Sequence, residues 1–160
     1  MSRFERAIKY TLANEGSGYS LDPRDPGGET KWGISERAHP NVNIASLTRE
    51  EAIEIYRKEY WLPAYDNIED EALAVKLFDL AVNMGRQRAH VLLQEAVNAL
   101  GEHRLLADGI IGPKTLQAVN ASHRASLYNR FLCKADDYYR SLGKHYFLWG
   151  WLNRLYRRVE

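Results

Sequence analysis

The stretch NEGSGYSLDPRDPGGETKWG, residues 14–33, decides how the beginning of this chain folds. It follows a helical pattern in which Ser2 and Glu5 form a capping-box signature and apolar residues recur at helical spacing up to Leu12. Two glycines then end the predicted helix directly after Glu15. A helix C-terminus carries partial negative charge, which favours a carboxyl group that keeps its proton, as a general acid must.

The rest of this stretch predicts a stiff turn that carries further carboxylates. Asp22 and Asp25 each precede a proline, so their backbone is held in extended geometry and the loop can aim a side chain. The same composition is equally typical of an ordinary surface turn. Thr30 and Trp32 then predict a short strand-like return. A pair of carboxylates suits cleavage of a glycosidic bond, and the separations of about 6.5–9.5 Å in inverting enzymes and about 5–5.5 Å in retaining enzymes both remain open.

An ordered set of motifs along nearly the whole chain resembles the glycoside hydrolase 108 family of phage-type and bacterial N-acetylmuramidases. The resemblance implies an all-α, lysozyme-like helical fold with a short β/turn segment after the first helix. It also implies hydrolysis of peptidoglycan between N-acetylmuramic acid and N-acetylglucosamine, without a cofactor. The matching motifs are EGSGY at 15–19, DPGGET at 25–30, WGI at 32–34, IYRKEYW at 55–61, FDLAVNMG at 78–85, LQ at 93–94, DGIIGPKT at 108–115, and GW at 150–151 with Arg154.

The same resemblance implies roles for individual residues. Glu15 would be the general acid, and Asp25 with Thr30 would position a water, with Asp22 as the fallback carboxylate. The family motif has its tyrosine three residues after the glutamate, whereas Ser17 makes the interval four here. Two alternatives follow: a non-catalytic peptidoglycan-binding or secretion-associated protein whose site Ser17 misaligns, and a lytic transglycosylase. The substrate-contacting residues implied are Tyr19, Trp32, Tyr60, Trp61, Asp79 and Asn83.

Helical signals continue through the rest of the chain. Thr48 and Glu51 repeat the capping box, and a helix is predicted from about Glu69 to Met84. We predict a lysozyme-like catalytic lobe over residues 1–88 and a helical lobe over residues 89–160. The second lobe resembles the peptidoglycan-binding region of family members.

Composition excludes several classes of protein. A formal net charge of +1 does not provide the basic footprint of a nucleic-acid-binding domain. The five histidines lack ligand spacing, so no metal site is predicted. Cys133 is the single cysteine, which excludes an intramolecular disulfide, and its apolar neighbours predict a buried structural thiol.

The C-terminal segment WGWLNRLYRR, residues 149–158, has three interpretations: a packed core helix, a glycan or stem-peptide contact, or a basic amphipathic helix on a membrane surface. No signal peptide or membrane-inserted segment is predicted. We therefore expect synthesis in the cytoplasm and action on periplasmic peptidoglycan after release, for example through a holin-type system.

Overall fold

A computed structural model describes residues 1–16, 18–21 and 27–160 of the chain. The mainly α fold predicted from the sequence is confirmed, with one small antiparallel hairpin of β1 (Thr30–Lys31) and β2 (Ile34–Ser35). A π-helical segment, Tyr56–Tyr60, continues directly from the second α-helix. The α-helices are α1 (Arg3–Glu15), α2 (Arg49–Ile55), α3 (Pro63–Asp66), α4 (Glu71–Met84), α5 (Arg86–Ala99), α6 (Pro113–Ala121), α7 (Arg124–Ser141) and α8 (His145–Tyr156).

Both predicted capping boxes form. The Ser2 hydroxyl accepts from the Glu5 amide at 3.2 Å, and the Glu5 carboxylate accepts from the Ser2 amide at 2.6 Å. Thr48 and Glu51 make the same reciprocal pair at the start of α2. These bonds satisfy amide groups that the first helical turn leaves without partners.

The chain forms two compact units, Met1–Trp61 and Leu62–Glu160. The boundary differs from the predicted division between residues 88 and 89, which falls inside α5. Helices α4 and α5 pack against each other within the second unit, and the predicted lobes, 1–88 and 89–160, stay a prediction.

In the first unit, the apolar face of α1 is buried, as its spacing predicts. The hairpin contributes Ile34, and the π-helical segment contributes Tyr56, which has no exposed surface. Burial of Ile34 and Tyr56 in the same unit holds the hairpin close to the π-helical segment. The buried α1 residues are Phe4, Ala7, Ile8, Thr11 and Leu12.

In the second unit, α5 packs against α4, α6 and α7, and α7 packs against α8. The buried face of α7 repeats every four residues, at Leu127, Phe131, Ala135 and Tyr139. Cys133 falls between two of these positions and is exposed, so the prediction of a buried thiol is wrong. Within the described part of the chain, no helix is both long enough and apolar enough to cross a membrane.

Candidate active site

Glu15 is the last residue of α1, as the sequence predicts. The helix ends because Gly16 adopts a φ of +76°, a left-handed conformation that glycine tolerates, while its amide still donates to the Leu12 carbonyl at 3.0 Å. The Glu15 side chain is half-buried. It is therefore held by surrounding groups yet keeps part of its surface available.

The β1–β2 hairpin turns through two residues, Trp32 and Gly33, whose φ angles are +55° and +77°. Positive φ at both loop positions is the pattern of a type I′ turn, which matches the twist of the flanking strands. A tryptophan in this region of backbone space is unusual, because its Cβ crowds the following carbonyl. Tyr56 supports the turn by donating its hydroxyl to the Trp32 carbonyl oxygen at 2.9 Å.

The turn lies directly against Glu15. A Cβ atom placed on Gly33 would come within 2.6 Å of Glu15 Cγ, 2.8 Å of Glu15 Cδ and 2.4 Å of Tyr56 Oη. Such distances are far shorter than van der Waals contact, so only glycine allows this approach. The hairpin therefore brings its backbone against the Glu15 carboxyl group and the Tyr56 hydroxyl at the same point.

The sequence identifies Tyr56 only as part of the motif IYRKEYW at 55–61 and does not predict its link to the turn. The two residues joined by its hydrogen bond are separated by 24 positions, and no spacing rule connects them. The π-helical segment also brings the Tyr56 and Tyr60 rings to 5.5 Å between centroids. π-helical turns occur frequently at functional sites, which is the one local signal that agrees with this placement.

Of the other predicted aromatic contacts, Trp61 packs edge-on against Phe4, with ring centroids 5.4 Å apart. Its ring is half-buried and serves at least in part as packing for α1. Trp32 is also half-buried, and its indole Nε1 has no hydrogen-bond partner among the described residues although the atom itself is buried. A buried indole N–H usually finds an acceptor, so this donor is a notable feature of the turn.

Thr30 pairs through its backbone with Ser20, at 2.8 Å and 2.9 Å for the two N–H to oxygen distances. Its hydroxyl is buried and has no hydrogen-bond partner among the described residues. Next to this bridge, the Tyr19 hydroxyl donates to Glu29 Oε1 at 2.7 Å. That hydrogen bond raises the pKa of Tyr19 above its usual value, because ionised tyrosine would lose it and face a carboxylate.

Glu29 is a second residue that the sequence does not single out, because it belongs there only to the motif DPGGET at 25–30. Its carboxylate holds Tyr19, which is 48% exposed and is the predicted aromatic contact with the most accessible ring. Asp25, the fallback Asp22 and the inserted Ser17 lie outside the described residues. The predicted roles of Asp25 and Ser17 therefore stay predictions.

Two family models divide the chain between them. Residues 8–85 match the model described as Glycosyl hydrolase 108, and residues 88–156 match the model described as Predicted Peptidoglycan domain. The match to the glycosyl hydrolase 108 family thus covers just under half of the chain, and it includes Glu15 and the β1–β2 hairpin.

A solved structure agrees with this assignment. The structure of Brucella abortus SagA is similar with a TM-score of 0.80 and 29% sequence identity, covering 95% of this chain and 88% of SagA. No curated protein matches the chain. Together these findings support a glycoside hydrolase of a family that acts on peptidoglycan, and peptidoglycan as its substrate.

The glycosyl hydrolase 108 region extends through α4, which carries the predicted substrate contacts Asp79 and Asn83. Asp79 has no exposed surface, and its carboxylate binds Arg154 Nε at 3.0 Å and Nη2 at 2.9 Å. The predicted substrate contact does not fit this burial, because the side chain faces α8 and its oxygens are engaged there. The two residues do share one side of α4, as predicted, but Asn83 accepts a hydrogen bond from Tyr139 of α7.

Lys76 accompanies this ion pair. It has no exposed surface, and its Nζ donates to the backbone oxygens of Arg154, Leu155 and Arg157 at 3.4, 2.9 and 3.0 Å. Burial lowers the pKa of Lys76 to about 8, and the nearby Asp79 carboxylate opposes that shift. The ammonium group occupies the C-terminal end of α8, where the helix dipole favours positive charge.

Over residues 1–16, 18–21 and 27–160, no three or more histidine, cysteine, aspartate or glutamate side chains come together as a metal site.

Proposed function

We propose that this glycosyl hydrolase 108 protein is an N-acetylmuramidase that cleaves the bond between N-acetylmuramic acid and N-acetylglucosamine in peptidoglycan. Glu15 donates its proton to the glycosidic oxygen as the C–O bond breaks. Asp25 and Thr30 position the water that supplies hydroxide to the anomeric carbon and releases a proton to the carboxylate. The products are a new reducing end and a free hydroxyl group.

The close approach of Gly33 to Glu15 is the observation that carries this proposal. A carboxyl group at a helix end, half-buried against a glycine turn, has the restricted orientation that proton donation to one oxygen atom requires. Most glutamates on helix surfaces have no such neighbour and rotate freely. The Tyr56 hydroxyl and the turn backbone together limit the positions that the Glu15 carboxyl group can adopt.

The Thr30 hydroxyl supports hydrolysis over transglycosylation. A threonine hydroxyl offers one donor and two acceptor positions, and that of Thr30 is buried without a partner among the described residues. A water held there would satisfy the group and stand near the same hairpin as Glu15. Transglycosylation needs no such water, because an oxygen of the substrate itself attacks the anomeric carbon.

Substrate contacts follow from exposure. We propose that Tyr19, Trp32, Tyr60 and Trp61 line the glycan path, with the accessible Tyr19 ring stacking on a sugar face. Glu29 keeps that ring in position through its hydrogen bond. Since peptidoglycan lies outside the cytoplasmic membrane, we also propose that the enzyme acts in the periplasm, with release from the cytoplasm as the preceding step.

Mass spectrometry of fragments released from purified peptidoglycan tests the proposal. We expect the wild type to release fragments with reducing N-acetylmuramic acid ends, and Glu15→Gln to lower the rate by about 10²- to 10⁴-fold. Glu54→Gln is the matched control, because Glu54 is an exposed glutamate on α2. Both variants should keep the wild-type unfolding midpoint.

Each other outcome contradicts a stated part of the proposal. Anhydro-sugar ends would indicate a lytic transglycosylase, and reducing N-acetylglucosamine ends would indicate cleavage of the other glycosidic bond. Wild-type activity in a folded Glu15→Gln variant would exclude Glu15 as the acid. Binding of peptidoglycan without release of fragments would favour the non-catalytic alternative.

A further inference from the structure

The last helix, α8, carries large aromatic side chains on its exposed face. Tyr146, Trp149 and Tyr156 are 61%, 74% and 53% exposed, and exposed Asn153 lies between the last two. The four positions follow one another at intervals of three, four and three residues, which places them on one side of a helix. We call these four residues the α8 aromatic face.

The opposite side of α8 anchors the helix in the second unit. Leu152 and Leu155 are buried. The Trp151 ring stacks on the Tyr139 ring, with a centroid distance of 5.2 Å, and on the Phe147 ring, with a centroid distance of 5.8 Å. The position and tilt of α8 are therefore fixed by core packing. Tyr146 packs edge-on against Phe147, with ring centroids 4.9 Å apart, and the Tyr156 hydroxyl donates to Asp136 Oδ2 at 2.5 Å, yet all three rings keep more than half of their surface exposed. Exposed aromatic groups that share one face typically mark an interaction site.

The spacing of the rings suits a chain of sugar rings. Trp149 and Tyr156 are seven residues apart, which along a helix axis is about 10.5 Å and is comparable with the length of one disaccharide unit. Each aromatic face can cover the apolar C–H face of a hexose. The Asn153 amide between them can both donate to and accept from sugar hydroxyl and acetamido groups.

Charge near the end of this face indicates which glycan fits. Arg157 and Arg158 follow Tyr156 directly and are exposed. A glycan strand of peptidoglycan carries stem peptides with free carboxylates, and guanidinium groups bind carboxylates well. An uncharged polysaccharide offers no carboxylates to these guanidinium groups.

A membrane surface fits less well. A helix that lies in the lipid interface presents a continuous apolar face that includes aliphatic residues. In α8 the buried leucines Leu152 and Leu155 face the protein core, and the exposed aromatic row is interrupted by the polar Asn153. The face therefore has the alternation of flat apolar and polar groups that a sugar chain has.

We propose that the α8 aromatic face is the glycan-binding surface of the predicted peptidoglycan domain. Two of its rings stack on sugars of one strand, and Arg157 and Arg158 bind stem-peptide carboxylates. The inference rests on the proposed function only in taking peptidoglycan as the substrate. It does not depend on which bond is cleaved or on the role of Glu15.

Co-sedimentation with purified insoluble peptidoglycan tests the proposal. The full chain is used in a Glu15→Gln background, and the fraction bound is measured against peptidoglycan concentration. Trp149→Ala with Tyr146→Ala should weaken binding by about tenfold or more, since burial of one large aromatic side chain is commonly worth a tenfold change in affinity. Leu106→Ala with Ile110→Ala is the matched control, because these side chains are 80% and 66% exposed in the same unit but lie outside α8.

Two further measurements separate the possible ligands. Removal of stem peptides with an amidase should leave the effect of Trp149→Ala in place and abolish that of Arg158→Gln. Vesicles of phosphatidylglycerol and phosphatidylethanolamine should bind wild type and Trp149→Ala equally. A loss confined to vesicles, or wild-type binding to peptidoglycan by the Trp149→Ala, Tyr146→Ala variant, would overturn the proposal.

The outcome is independent of the test of the proposed function. If wild type releases no fragments, binding that still falls with Trp149→Ala supports this surface and contradicts only the muramidase proposal. If fragments are released normally and the aromatic variants bind like wild type, the muramidase proposal stands and this surface is excluded.

Discussion

Glu15 and Asp79 are carboxylates on helices of the same glycosyl hydrolase 108 region, yet their surroundings differ. Glu15 is half-buried beside a glycine turn, while Asp79 is fully buried and paired with Arg154 through two hydrogen bonds. A buried carboxylate whose oxygens are all hydrogen-bonded is held in its charged form and has little capacity for acid/base catalysis. A partly exposed carboxyl group held by packing keeps that capacity. The comparison teaches that membership of a family motif does not by itself separate structural from chemical carboxylates.

The largest stability effect should follow from breaking the Asp79 pair. We expect Asp79→Ala to lower the free energy of unfolding by about 3–5 kcal/mol, because Arg154 would remain buried without its counter-charge. Urea denaturation measures the loss, and Glu15→Gln should leave the midpoint unchanged. The double variant Asp79→Leu, Arg154→Met should recover most of the stability. A stable Asp79→Ala variant that has lost peptidoglycan binding would instead support the prediction that Asp79 contacts the substrate.

Lys76 provides a pH-dependent way to examine the same region. Its pKa is lowered to about 8 in the folded protein, from an ordinary value of 10.5. Between these values the unfolded chain binds more protons than the folded one, so stability rises as pH increases through this window. The gain should approach about 3 kcal/mol if the whole shift is realised. Below pH 8 the group is charged in both states and adds no slope.

Comparison with a methionine variant isolates the Lys76 contribution from other titrating groups. The difference in unfolding free energy between wild type and Lys76→Met should rise between pH 8 and pH 10, whereas exposed Lys114→Met should track wild type. A flat difference would mean that Lys76 stays charged throughout that range.

Gly33→Ala tests the region around Glu15. Left-handed strain costs about 1–2 kcal/mol, and the added methyl group would push against Glu15 and Tyr56. We expect activity to fall by about 10²-fold, because small misplacements of a catalytic group have effects of that size. Gly143→Ala is the matched control, with a φ of +65° and no atom within 4 Å of the new Cβ. Equal activities in the two variants would show that the contact with Glu15 is unimportant.

The smallest expected effect comes from removing the hydroxyl group of either of two buried tyrosines. Tyr56 donates to the Trp32 carbonyl, and the Tyr65 hydroxyl is 2.7 Å from His90 Nε2 in the second unit. Phenylalanine at either position should cost about 0.5–1.5 kcal/mol of stability. Only Tyr56→Phe should also lower turnover. Equal turnover in the two variants would make Tyr56 a purely structural residue.

The features that the sequence predicted correctly are local ones. Both capping boxes and the helix end at Glu15 depend on residues within a few positions of each other. The start of α4 lies two residues later than predicted because Asp70 caps it, accepting from the Leu73 amide. Short-range hydrogen bonds of this kind can be predicted from residue types at fixed spacing.

The features that were missed depend on distant partners. The burial of Asp79 depends on Arg154, which lies 75 positions away, and the support of the Trp32 turn depends on Tyr56. The prediction for Cys133 is wrong for a different reason: apolar neighbours alone do not define the helical phase, which points Cys133 to solvent. Spacing rules carry no information about which side of a helix will meet a later segment.

The anchoring of Lys76 at the end of α8 has a consequence for how the chain folds during synthesis. The three carbonyl oxygens that receive its hydrogen bonds lie 78, 79 and 81 positions further along the chain. Once α4 has left the ribosome, Lys76 must stay hydrated until residues 154–157 emerge. Contacts of such long sequence separation are closed late and slowly. The second unit therefore completes its core only near the end of translation, and truncation before residue 154 would leave a buried cation with no acceptors.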